Sequence, residues 1–109
     1  MADILGSFEQ AILLSVVRLG KDAYGRAILN DVQSRLQRDV SAGAVYTTLD
    51  RLEEKSLVRS RLEPGSANRA GRPRRFYSVG AAGVQALDES RAMVENVWRG
   101  VRWPLKGGA

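Results

Sequence analysis

The chain has no cysteine, so disulfides and thiolate metal sites are excluded. It has no histidine either, which removes the usual general base and the commonest transition-metal ligand. No metal, no cofactor and no enzymatic activity are therefore expected. The one long apolar run, "AILLSVV" from Ala11 to Val17, is too short to span a bilayer. It follows Asp3 and Glu9 rather than a cationic start with a cleavage site, so the expectation is a cytoplasmic protein without a membrane partner. No internal repeat or low-complexity segment is visible.

What is present is a globular balance with a basic bias: 109 residues, 44% hydrophobic, 27% charged and a formal net charge of +5. That length supports one modest core, and the basic balance points to anionic partners. The charge is not spread evenly. Between Arg59 and Arg75 stand six arginines (59, 61, 69, 72, 74 and 75) and one acid, Glu63, so this stretch alone equals the net charge of the chain.

Hydrophobic spacing places the elements. Ser7 followed by Gln10 has the form of a capping box, and Phe8, Ile12, Val16 and Leu19 recur at helical spacing, which predicts a helix over about 8–19. Leu13, Leu14 and Val17 fall on its other faces, so part of this helix is expected to meet a second subunit. Gly20 supplies a break, Asp22 a candidate cap, and Tyr24, Ile28, Val32 and Leu36 a second helix. Ser41 is a further candidate cap; Val45, Leu49 and Leu52 form the stripe of a third helix ending near Lys55, with Gly43, Thr47, Asp50, Arg51 and Glu54 opposite.

After Ser56 the period changes to two, through "LVRSRL", a turn-rich "EPGSANRAGRP" and "RRFYSV". This predicts a β-hairpin with a long polar loop. Val84, Leu87, Val94, Trp98 and Val101 restore a helical period over about 81–101, and the tail "WPLKGGA" follows. The predicted fold class is mainly α with a small β-hairpin: a winged helix-turn-helix over 1–80, and a long C-terminal dimerisation helix with its tail over 81–109 in the same compact domain.

Arginines concentrated on a hairpin suit phosphate binding, since each one that neutralises a phosphate releases condensed counterions. Glycines and Pro73 let such a loop follow a groove while guanidinium groups reach phosphates or base edges. The competing reading is a solvated loop face. In the third helix, Ala42, Gly43 and Ala44 permit close approach to a backbone, and Tyr46, Thr47 and Arg51 are the candidate groove residues, although Tyr46 and Thr47 can equally pack locally. Tyr24 is a candidate phosphate contact or a core aromatic.

Three segments, "LLSVVRLGKDAYGRAI", "VSAGAVYTTLDRLEEKSLV" and "RAGRPRRFYSVGAAGVQAL", together resemble a PadR-type transcriptional regulator over residues 5 to about 90. The resemblance implies a homodimeric bacterial repressor that binds an inverted-repeat operator, responds to small molecules or stress, and dimerises through its C-terminal helix. It places Ser41, Gly43, Tyr46 and Thr47 at the recognition helix and Arg72, Arg74 and Arg75 in the wing; the reading of the residues adds Arg51 on the third helix and, by charge count, Arg69 in the wing. Leu13, Val17, Leu87, Val94, Trp98 and Val101 are the expected dimer residues. Trp98 resembles by location an aromatic that lines a drug pocket in some relatives, but packing alone is the favoured reading, since a large aromatic near a chain end usually anchors an interface; no sequence feature names a ligand.

The chain departs from the family pattern at Ser56, where a glycine usually ends the helix, at Ala70, where the wing usually has glycine, and at Gly80, where a threonine usually caps the fourth helix. None of these removes a DNA-binding charge. The expected partners are double-stranded DNA, a second copy and a small-molecule effector. Two other classes remain open: a winged helix that binds an acidic protein, and a non-specific nucleic-acid binder. Glu53, Glu54, Asp88 and Glu89, the carboxylates an enzyme would need, read as solvated helix faces.

Overall fold

The computed structural model describes residues 4–65 and 72–106. Arg69 and Ala70, placed in the wing by sequence, lie outside the described residues. Helix α1 (Ser7–Leu19) is capped by Gly6 rather than Ser7. The Gly6 N–H donates to Glu9 Oε1 at 3.0 Å, so a carboxylate three residues on satisfies the open amide and Ser7 becomes the first helical residue. Gly20 leaves the helix with φ at 58°, and a single 3-10 turn runs to Asp22.

Asp22 does not cap helix α2 (Gly25–Leu36); Tyr24 occupies the cap position without a side-chain bond. The reason is tertiary. Tyr24 is extended because it bridges Phe76 in antiparallel fashion, and the Tyr77 N–H donates to the Ala23 carbonyl at 2.8 Å. The helix can begin only after that pairing ends. Helix α3 (Ala42–Glu54) starts as predicted, with Ser41 Oγ accepting the Ala44 N–H at 3.0 Å.

Beyond α3 the chain turns through Ser56 with φ at 63°, a left-handed position that suits glycine better than serine. Strands β1 (Val58–Glu63) and β2 (Arg74–Val79) pair antiparallel in a register running from Val58 with Val79 to Glu63 with Arg74. Helix α4 (Ala81–Trp98) follows, capped by the backbone of Gly80 alone. It ends three residues before the predicted boundary: Arg99 is extended and Gly100 takes φ at 85°, so Val101 lies outside the helix. Four helices and a hairpin in this order form a winged helix-turn-helix. Among the described residues no helix is long and apolar enough to cross a membrane.

The core is built where the predicted stripes converge. Ile12, Ile28, Val32, Val45, Leu49 and Leu52 are all fully buried. Each such aliphatic side chain contributes about 2 kcal/mol on burial. Polar fastening joins α1 to α2: buried Ser15 donates its hydroxyl to Asp31, which also pairs with Arg18 and, at 3.8 Å, with Arg35. The residues that helix α4 buries against this body, Gly83, Ala86 and Ser90, lie in its first ten positions. Its second half projects, giving a radius of gyration of 16.7 Å and extents of 59 × 32 × 21 Å. A compact chain of this length has a radius of gyration of about 13 Å.

Candidate nucleic-acid interface

The hairpin register divides the wing into two faces, because successive side chains on a strand point to opposite sides. Val58, Ser60, Leu62, Arg75, Tyr77 and Val79 share one face; Arg59, Arg61, Glu63, Arg74, Phe76 and Ser78 share the other. On the second face, the Tyr24 bridge extends the sheet by one residue and makes a row of Tyr24, Phe76 and Arg61. Tyr24 and Phe76 meet edge to face, with ring centroids 5.7 Å apart. The Arg74 guanidinium lies 4.0 Å from the Tyr24 ring centroid, and that of Arg61 lies 5.2 Å from the Phe76 centroid. Aromatic faces attract and orient cations, so these two guanidinium groups are held by the sheet rather than left to wander. Arg61 also pairs with Glu63 at 2.9 Å.

On the first face the wing turns toward α3. Tyr77 is buried, and that burial pushes its phenol above the ordinary tyrosine value, while Arg75 pulls the other way and Asp50, Glu53 and Tyr46 reinforce the rise. Arg75 Nη1 donates to Ser60 Oγ at 3.0 Å, and the Ser60 hydroxyl donates to Glu53 Oε2 at 2.6 Å.

Between the wing and the start of α2 lies a cleft of about 510 Å³. Four arginines line it, Arg26, Arg72, Arg74 and Arg75, together with Tyr24, Tyr46, Tyr77, Gly25 and Pro73. The Tyr46 ring crosses the first residue of α2 so closely that a Cβ on Gly25 would sit 2.4 Å from its Cε1 and 2.8 Å from its hydroxyl oxygen. The paired sequence "YG" at 24–25 thus has two local causes: Tyr24 pairs with the wing, and Gly25 leaves room for Tyr46. Chemically the cleft offers phenol hydroxyls and fixed guanidinium groups, a donor set for phosphate.

Sequence-predicted residues fall as follows. Ser41, Gly43, Tyr46, Thr47 and Arg51 all lie on the exposed side of α3, Tyr46 at 43% exposure, and nothing would meet a Cβ on Gly43. Arg72, Arg74 and Arg75 gather at the cleft, whereas Thr47, Arg51 and Gly43 do not line it. Gly25, Arg26 and the platform role of Tyr24 were not foreseen. Gly25 and Arg26 stood inside the quoted "DAYGRAI" segment, but only the fold brings the start of α2 against Tyr46 and the wing.

A second, apolar groove of about 630 Å³ runs between α1 and α4, with Leu14, Val17, Val84, Leu87 and Val94 along it and Asp88, Arg91 and Glu95 at its margin. Of the residues expected to meet a second subunit, Val17, Leu87 and Val94 line this groove, and Trp98 and Val101 are exposed beyond it. Leu13 is the exception. It is 0% exposed within its own chain, on the face of α1 that packs inward, and has no surface to offer a partner. Trp98 stands edge-on to Trp103, with ring centroids 5.3 Å apart.

Comparison with known proteins gives one consistent result. The model of the transcriptional regulator PadR-like family matches residues 13–89. A PadR family transcriptional regulator from Eggerthella lenta superposes with a TM-score of 0.64 at 25% identity, over 83% of this chain and 76% of that one. A PadR family regulator from Clostridium difficile R20291 gives 0.64 at 24% identity, over 85% and 95%. The RosR protein of H. salinarum gives 0.68 at 22% identity, over 94% and 84%, a likeness of fold. No curated protein sequence matches the chain.

Proposed function

Because the chain belongs to the transcriptional regulator PadR-like family and is a DNA-binding transcriptional regulator, we propose that it acts as a homodimeric, sequence-specific repressor at an inverted-repeat operator. The observation that carries this reading is the convergence of Arg26, Arg72, Arg74, Arg75, Tyr24 and Tyr46 on one cleft beside the exposed side of α3. In this reading the wing and the start of α2 grip phosphates, and the small, open start of α3 at Ser41 and Gly43 approaches the duplex. Thr47 and Arg51 then read base edges in the major groove, with Tyr46 at the boundary between the two tasks. Arg69 belongs to the wing by charge count.

The dimer is supported by an apolar surface that one chain leaves uncovered. Leu14, Val17, Val84, Val94, Trp98 and Val101 are each between 43% and 54% exposed, along the α1–α4 groove and the projecting end of α4. A second copy, with its own α4, is the occupant that makes such a surface stable. A two-fold arrangement would set two α3 helices on successive half-sites. An apolar effector would enter at this interface, where Trp98 offers a flat aromatic face.

The test is selection of bound duplexes from a randomised DNA pool at physiological salt, with sedimentation of the protein measured alongside. Enrichment of an inverted repeat by a dimeric species is the expected outcome. Salt-sensitive binding without enrichment would favour non-specific nucleic-acid binding, and no DNA binding at all would favour an acidic protein partner.

A further inference from the structure

The wing is joined to the recognition helix by a short polar relay that no charge count would reveal. Glu53 sits one residue from the end of α3, Ser60 in β1 and Arg75 in β2. The Ser60 hydroxyl donates to Glu53 Oε2 at 2.6 Å and accepts from Arg75 Nη1 at 3.0 Å. One hydroxyl thereby spends its only proton on the carboxylate and turns its lone pairs toward the guanidinium. Glu53 and Ser60 are both partly buried, whereas Arg75 is exposed. The inner two members are thus held by packing while the outer one remains free to meet a ligand.

The neighbouring arginines are held differently. Arg74 and Arg61 rest on aromatic rings of the opposite wing face and have no bond to α3 among those described. Arg75, unlike Arg61 and Arg74, has its position referred to α3 itself. We propose that Glu53 and Ser60 are positioning residues that set the Arg75 guanidinium in fixed register with the recognition helix. Wing contact and base readout are then a single rigid footprint rather than two independent ones. This rests on the reading of the cleft as a DNA surface, but the orientation of Arg75 can be measured without DNA.

The geometry separates the role of the hydrogen bond from that of the charge. Glu53→Gln keeps an oxygen that accepts from Ser60 and removes the charge; Glu53→Ala removes both. Ser60→Ala breaks the relay at its centre, and Ser60→Thr keeps the hydroxyl on a strand position that suits a β-branched residue. Losing one hydrogen bond of this kind is worth roughly threefold to tenfold in an equilibrium.

The experiment uses the full chain in two arms. In the first, side-chain nitrogen NMR of Arg75, assigned by its loss in Arg75→Lys, reports guanidinium immobilisation in the free protein. Slowed Nη exchange is expected in the wild type, Glu53→Gln and Ser60→Thr, and lost in Glu53→Ala and Ser60→Ala. In the second, the ratio of affinities for the selected operator and for random duplex is measured. It should narrow roughly threefold to tenfold in Glu53→Ala and Ser60→Ala, recover in Glu53→Gln and Ser60→Thr, and leave the salt slope within about half a unit of wild type.

Unchanged Arg75 exchange in Ser60→Ala and Glu53→Ala overturns the proposal whatever DNA does. So does a Glu53→Gln variant that behaves as Glu53→Ala in both arms, since charge and not the hydrogen bond would then matter. Expected NMR behaviour in a wild type that shows no preference among duplexes would instead retire the DNA reading and leave the relay standing. Thermal unfolding of each variant checks that a lost signal is not a lost fold, and Ser60→Thr serves should Ser60→Ala fail to fold.

Discussion

Replacing Gly25 by alanine should separate folding from DNA binding. Gly25 is the first residue of α2, and its φ lies outside the left-handed range, so alanine is conformationally acceptable there. Restricting the unfolded chain then favours the alanine variant by about 0.5 kcal/mol. The added Cβ would lie 2.4 Å from Tyr46 Cε1, where ordinary contact begins near 3.4 Å, so the ring edge must retreat by about 1 Å. Tyr46 is 43% exposed and can swing outward into solvent, which makes the clash cheap for the fold. At the proposed DNA surface the same retreat carries the hydroxyl out of hydrogen-bond reach, at a cost of about 1 kcal/mol or roughly fivefold in affinity. Denaturant unfolding and fluorescence anisotropy on operator DNA would be read side by side. The expected result is stability within about 1 kcal/mol of wild type with affinity reduced near the level of Tyr46→Phe. A loss of more than about 2 kcal/mol in stability would refute the argument that the ring can yield, and unchanged affinity would remove Tyr46 from the interface.

Gly83→Ala should behave in the opposite way. Its Cβ would meet the Leu57 carbonyl oxygen at 2.2 Å and Val79 Cγ1 at 2.6 Å, and backbone cannot swing aside, so a loss of about 1–3 kcal/mol is expected in denaturant unfolding despite the better helix propensity of alanine. Arg74→Ala with Arg75→Ala should weaken binding to every duplex and flatten the dependence of log affinity on log salt by roughly one or two units; an unchanged slope would remove the wing from the phosphate contacts. Glu9 gives a pH prediction. The Gly6 N–H, chiefly, with Lys55 at 3.3 Å, holds its carboxyl below the ordinary value against the opposing effect of desolvation. A depressed folded-state pKa stabilises above the unfolded value and loses that stabilisation as pH falls through the folded one. Glu9→Gln should therefore be less stable than wild type near neutral pH and converge with it as pH falls below the ordinary carboxylate range and through the lowered folded-state value.

Much of the fold was legible because the helices carry apolar stripes at helical spacing, although Arg91 interrupts that of α4 and the end of α4 was placed three residues late. Val45, Leu49 and Leu52 announce α3, Ser41 its cap, and the change to period two at Leu57 the hairpin. The caps of α1 and α2 were misread for two different reasons. Ser7 and Asp22 have the right chemistry for a cap, but Glu9 satisfies the Gly6 amide in the first case, and pairing of Tyr24 with Phe76 delays the helix in the second. Leu13 was placed at a partner surface because a helix apolar on several faces does not declare which of them its own core will take. Burial of Leu13 and exposure of Leu14 and Val17 decided it.

The sequence by itself determined the elements, their order, the family and the location of the positive charge, because periodicity, turn chemistry and composition are local properties of a chain. Which arginines act together was decided only by the tertiary structure. Arg26 joins the cleft because α2 starts against the wing, Arg74 is held because Tyr24 bridges the sheet at Phe76, and Arg75 answers to α3 through Ser60 and Glu53. Each of these depends on residues from different elements, 7 and 15 positions apart in the relay and farther apart at Tyr24 and Arg26, being packed to within hydrogen-bond or van der Waals distance, and no local pattern encodes that approach.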